Sequence, residues 1–237
     1  MGVTRFPTVA VSWPAAYRIV PTRYPPIDLY ERITGDPAKW ELLAAIEAIT
    51  NPRVRDELGE IRLVPVDERV SGPGASGVMA PFTHLNPRGS RFSDGAYGVY
   101  YAADRLSTAI QETVYHMGRV YADGSDEPHD EDMRVLVGVI EGRFNDLTQN
   151  GVATPYLDPD SYANSQELGR GIRDAGGDGI VYPSVRNPPH PCVAVFRPKV
   201  VEIPAPERHL KYHWDGEAIS RVFDYRAEIW RPAEGYR

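Results

Sequence analysis

Prolines set the first limit on this fold. Twenty-two of them are spread widely through 237 residues. Each fixes φ and removes a backbone donor, so unbroken helices and central strands are confined to the gaps between them. Their spread points to an irregular, loop-rich folded chain and not to a disordered tail. "AYRIV" (16–20) reads as a short strand stopped by Pro21. Residues 38–50 read as a helix, with Asp36 as N-cap and Pro37 at its first position, and residues 51–61 continue the helical character. "VSGPGASGVMAPF" (70–82) reads as a loop without a clear period.

"YGVYYAA" (97–103) reads as a buried strand, and residues 104–120 as a helix whose apolar stripe is Leu106, Ala109, Ile110, Val114 and Met117. "MRVLVGVIEG" (133–142) is the strongest strand signal, residues 161–177 form a helix closed by glycines, and 179–184 and 192–203 read as strands. From Pro204 the chain is charged and aromatic, which suggests a short strand pair plus a tail. Strands and helices mix without steady alternation and no repeat is visible, so the fold class is α+β, with mixed sheets flanked by helices.

The chain is 42% hydrophobic and long enough to bury a sizeable core as one domain. A formal charge of −7 makes DNA or RNA a poor default partner. Cys192 is the only cysteine, so neither an intrachain disulfide nor a cysteine zinc cluster can form, which suits a reducing cytosol. No apolar run reaches the roughly 20 residues that span a bilayer, so no membrane association is expected. The first 20 residues, interrupted by Ser12 and Pro14, lack the continuous apolar region of a signal peptide. Phe6 stands where a myristoylation motif needs Ser or Thr.

Single residues say little. Glu112 lies off the stripe of its helix, which suits either a solvated face, paired to Arg105 or His116, or a second face turned to a cleft. Arg18, inside "YRIV", either points outward or offers a forked donor to phosphate. Tyr100 and Tyr101 face opposite ways on a strand, so one belongs to the core and the other can present a ring to a flat ligand. Ser184 ends the "GIVYP" strand as an ordinary turn serine or a ligand contact, and no G-x-S-x-G surrounds it. The six histidines show no metal spacing. Gly72 and Gly74 are not expected to precede the helix that a dinucleotide fingerprint needs.

In order, however, Arg18, "GSRFSDGAYGVYYAA" (89–103), "TAIQETVYH" (108–116) and "GIVYPSVR" (179–186) resemble the RES domain family, named for its functional arginine, glutamate and serine. The resemblance runs from about residue 17 to 198, leaving extensions at 1–16 and 199–237 of a single domain spanning 1–237. "YPPIDLYERI" and "NPRVRDELGEI" resemble the extended branch of the family. Many members write Gly-Arg-Trp-Asn where this chain has Arg91, Phe92 and Ser93.

The resemblance implies a fold like that of ADP-ribosyltransferases and a bacterial, cytoplasmic toxin that consumes NAD. It also implies a neutralising helix-turn-helix antitoxin of the Xre type, which would carry any DNA contacts. NAD would be the substrate; no cofactor and no metal are expected. Breaking the nicotinamide–ribose bond leaves positive charge on the ribose, as in glycoside hydrolysis. The candidate catalytic residues are Glu112 against that charge, Arg18 on the diphosphate and Ser184 orienting the nicotinamide amide or the ribose. The candidate substrate-binding residues are Arg91, Tyr101 and Phe92. Water as acceptor gives a glycohydrolase, inorganic phosphate a phosphorylase and a protein side chain an ADP-ribosyltransferase. A non-catalytic module with Trp214 and Trp230 as its binding surface is a further alternative.

Overall fold

The structure is a computed structural model that describes residues 6–23, 36, 39–40, 59–149 and 154–236. The helix expected over 38–50 and most of its continuation over 51–61 lie outside the described residues. The described elements, in chain order, are β1 (Thr8–Pro21), α1 (Ser76–Thr83), β2 (Tyr100–Ala103), α2 (Leu106–Gly124), β3 (His129–Asp146), α3 (Ala163–Asp174), β4 (Gly179–Pro183), β5 (Pro191–Val195), β6 (Ala205–Trp214), β7 (Ile219–Asp224) and β8 (Ile229–Pro232).

The strands form one sheet in the order β1-β2-β5-β4-β3-β6-β7-β8, and β1 also pairs with β3. That extra pairing closes the first five into a ring. The sheet is mixed, because β3 runs parallel to β4 and antiparallel to β1 and β6. The α+β class read from the sequence is the one observed.

Strand β3 makes the closure possible. Its 18 residues are long enough to serve β1 along most of their length, β6 at one end and β4 at the other. β1 matches that length, where only residues 16–20 were expected to be strand. It passes through Pro14 by a register shift between Trp13 and Ala16, the kind of irregularity where a sheet tolerates proline. The stretch 1–16 is therefore no mere extension, since residues 8–16 belong to the ring. At the other end β6, β7 and β8 continue the sheet from β3, so the C-terminal stretch is more than a strand pair with a tail.

Three local readings need correction. Residues 76–83, expected as loop, form α1, which buries Val78, Met79 and Phe82. Its glycine-rich approach and internal Pro81 hid it. A helix thus does follow Gly72 and Gly74, but the residues before them form a 3-10 turn instead of the strand of a dinucleotide fingerprint. The strand expected over 192–203 stops at Val195, and Pro198 opens a 3-10 turn.

Alternation along the strands feeds two cores. Tyr100, Ala102, Val181, Val193 and Val195 join one cluster with Ile140 and Phe144 from β3, capped by α1. Tyr101, Ala103, Ile180, Tyr182 and Ala194 face the other, covered by α2 and α3. Each fully buried large side chain contributes about 1.5–3 kcal/mol. Trp214 lies in this second core, with its indole donating to the Asp126 carbonyl at 2.9 Å. It is not available as an interaction surface.

Helix α3 presses on the loop before β2. A Cβ on Gly169 would lie 2.3 Å from the Phe92 carbonyl oxygen, which is backbone and cannot swing aside. Gly169→Ala is expected to destabilise the protein by about 1–3 kcal/mol through overpacking. A thermal melt unchanged from wild type would show that the contact is looser than this.

Candidate active site

Glu112 sits in the middle of α2, on a face it shares with Tyr115, His116 and Arg119 at helical spacing. That face is not solvated at Glu112, whose side chain is only 19% exposed. The Ser184 hydroxyl donates to its Oε1 at 2.6 Å, and His116 Nε2 lies 3.6 Å from its Oε2. Burial pushes the carboxyl up, but the contacts with His116 and Ser184 and the charge of Arg91 outweigh it and hold the carboxyl below its usual value. The glutamate is an ionised group held in a largely enclosed place.

Ser184 is placed by the end of β4. Its hydroxyl accepts from the backbone N–H groups of Arg186 (3.2 Å) and Asn187 (2.9 Å) while donating to Glu112. It therefore has the turn role, and its proton goes to Glu112. Asn187 closes the unit by donating from its side-chain amide to the Thr108 hydroxyl (3.0 Å) at the start of α2.

Arg91 and Tyr101 come from the loop and strand across from α2. Gly89, at φ +72°, turns the chain into this loop. The Tyr101 hydroxyl accepts from the Phe92 N–H at 3.0 Å and pairs with the Ser90 hydroxyl at 2.9 Å. Burial pushes this phenol up to about 12, so it stays protonated. Arg91, 6% exposed, donates to the Asp158 carbonyl at 2.8 Å and stacks 4.5 Å over the Tyr162 ring.

Two of the six expected site residues make structural contacts in the fold. Phe92 is fully buried, edge-on to Tyr182 at 4.9 Å. It packs in the core from the Ser90–Ser93 turn that also carries Arg91. Arg18 stacks 4.7 Å over the Tyr100 ring and donates to the Tyr101 carbonyl at 3.1 Å. Tyr100 points away from Tyr101, so Arg18 serves the backbone of β2 and makes no described contact with Glu112, Ser184 or Arg91.

Sequence reasoning passed over Arg186, Tyr115 and Tyr162. Arg186 stacks 3.3 Å over the Tyr115 ring and donates to the Pro159 carbonyl at 2.9 Å. Tyr115 is three positions after Glu112, and that spacing was the available signal. Tyr162 is brought in from 50 residues further along the chain than Glu112, and only the tertiary fold reveals it. No cluster of three or more His, Cys, Asp or Glu suited to a metal occurs among the described residues. None of the described helices is long and apolar enough to cross a membrane.

Comparison with known proteins adds the following. The pattern described as RES domain matches residues 67–215. The uncharacterized protein y4oC of Sinorhizobium fredii is 31% identical over 209 residues, spanning 88% of this chain and 86% of that protein. A chain in the crystal structure of the M. tuberculosis MbcT–MbcA toxin–antitoxin complex is similar with a TM-score of 0.41 at 12% identity, over 55% of this chain and 74% of that one.

Two outcomes follow from the geometry. Tyr101→Phe removes the acceptor of a half-buried N–H, so it is expected to lower stability by about 1–3 kcal/mol in a denaturant titration. A neutral effect would return Tyr101 to stacking alone. Glu112, with its folded value depressed, contributes stability that is complete above the ordinary glutamate value of about 4.3 and is lost as pH falls through the folded value. The stability gap between wild type and Glu112→Gln should therefore shrink from pH 6 to pH 3, and a constant gap would contradict the depressed value.

Proposed function

The chain belongs to the RES domain family, and on that footing we propose that it is an NAD-consuming toxin of a toxin–antitoxin pair, cleaving the nicotinamide–ribose bond by hydrolysis or phosphorolysis. The observation that carries this reading is the ionised carboxylate of Glu112, largely buried and aimed by Ser184. In NAD the leaving nicotinamide is already cationic. When the C–N bond breaks, its electron pair goes to the ring nitrogen and the positive charge passes to the ribose. A carboxylate fixed beside the anomeric carbon stabilises that charge without solvent having to reorganise. No strong general acid is required.

The other residues then take their roles. Ser184 holds Glu112 in place and so acts on the nicotinamide side of the substrate through the carboxylate. Tyr101 offers its ring to the nicotinamide while its hydroxyl stays tied to the 90–92 loop. Arg91 supplies a guanidinium to the diphosphate. Arg18 is a positioning residue, fixing β2 and thereby Tyr101. Water or inorganic phosphate enters as acceptor, releasing ADP-ribose and a proton or ADP-ribose 1-phosphate. A cytoplasmic protein with this activity needs a neutralising partner, and an Xre-type antitoxin fits that role.

The test is to incubate purified protein with NAD, with and without phosphate, and to identify products by mass spectrometry. Glu112→Gln is expected to fold and to lose about 10²-fold or more in turnover, the scale of removing one preorganised electrostatic group. Near-wild-type turnover in the folded variant would refute the role of Glu112. NAD label appearing on a protein, with no free product, would replace consumption by ADP-ribosyl transfer.

A further inference from the structure

Two buried polar atoms in the arginine–tyrosine stacks lack any hydrogen-bond partner, namely the Tyr162 hydroxyl and Arg186 Nε. An unmet buried donor costs about 1–3 kcal/mol, so each of these atoms calls for a polar partner, water or ligand. The same place holds two guanidinium groups, each with one face laid on a tyrosine. Arg91 lies on Tyr162 and Arg186 on Tyr115, and stacking leaves their N–H edges available.

Each edge now meets a backbone carbonyl, Arg91 that of Asp158 at 2.8 Å and Arg186 that of Pro159 at 2.9 Å. These carbonyls belong to consecutive residues, which places the two guanidinium groups within roughly 10 Å of each other. A carbonyl oxygen is the weak, neutral version of the acceptor that a guanidinium fork prefers. The Asp158 carboxylate stays out of the forks. It accepts from its own loop, at the N–H groups of Asp160 and Ser161, both at 2.8 Å. The segment 157–161 is thus folded on itself and attached to the two guanidinium groups at two points, with Tyr162 beyond it as the seat of Arg91.

We propose that Arg186 and Arg91 together form the diphosphate site, and that the 157–161 strap fills it in the free protein with the Asp158 and Pro159 carbonyls standing in for phosphate oxygens. This rests on the dinucleotide reading above and gives Arg186 the place that Arg18 was expected to fill. Ser184 links the site to the chemistry, because the hydroxyl that aims Glu112 also receives the backbone N–H of Arg186. Diphosphate placement and carboxylate placement are set by one group.

ADP and adenosine, titrated calorimetrically into the full chain, separate this proposal from the cleavage reading, because ADP binding needs no turnover. ADP should bind and adenosine bind at least about tenfold more weakly, and Arg186→Ala should weaken ADP by about tenfold with adenosine unchanged. Arg186→Lys, which keeps the charge without the fork, should recover only part of the loss, and circular dichroism establishes that both variants fold. Amide exchange over 157–161 should rise when ADP releases the strap. Equal ADP affinity in wild type and folded Arg186→Ala, or no ADP binding by wild type, overturns the site. Exchange that is unchanged or slower with ADP overturns the strap. A protein whose ADP binding depends on Arg186, and is weakened likewise by Arg91→Ala, yet leaves NAD intact supports the site and overturns only the cleavage reading.

Discussion

The Ser184 hydroxyl is the point from which the site is built. It has one proton and two lone pairs, and all three are used: the proton toward Glu112, the lone pairs toward the N–H groups of Arg186 and Asn187. The short contact to the carboxylate joins α2 to the end of β4. The backbone contacts shape the turn that carries Arg186, and Asn187 ties that turn back to Thr108 on the same helix. A carboxylate so little exposed would be driven toward its neutral form without such donors. Ser184, His116 and the charge of Arg91 keep it ionised, which is the state the proposed chemistry uses.

The sheet explains how these groups come to face one another. β3 is long enough to be shared, and β1 closes the ring across it. Once closed, the ring forces the side chains of β2 and β4 to divide between two cores. Tyr101 and Tyr182 go to the side covered by α2, and Tyr100 to the other. Arg18 follows Tyr100. Its guanidinium donates to the Tyr101 carbonyl of β2.

Arginine on tyrosine is the recurring contact around the glutamate. The Arg91–Tyr162 and Arg186–Tyr115 stacks give two cations flat, partly apolar seats at a modest desolvation cost. Such seats hold the forks in a fixed direction, as recognition of a charged, rigid group requires. The strap attached to them by carbonyls is the part of the site with the weakest acceptors, and so the part that a phosphate would displace most readily.

Several features were legible in the sequence because they are local. The helix bearing Glu112 shows in its apolar stripe, β3 in its run of branched residues, and the α+β class in the irregular mixing of the two. The motif order around Arg91, Glu112 and Ser184 marks the family, and two of these residues do meet through a single hydrogen bond. The rest was decided by tertiary structure. Strand 8–21 forms because β3 supplies a partner longer than the proline-broken segment could predict, and α1 forms because a core needed Val78, Met79 and Phe82 under it. The sequence marks Arg18 and Phe92 as a cation and a ring, but it does not say toward which side of a closed ring each will turn. The carbonyls that Arg91 and Arg186 meet, 67 and 27 residues away in sequence, become partners only after the chain has folded, since the side of a strand is a local property and the neighbour across a cleft is not.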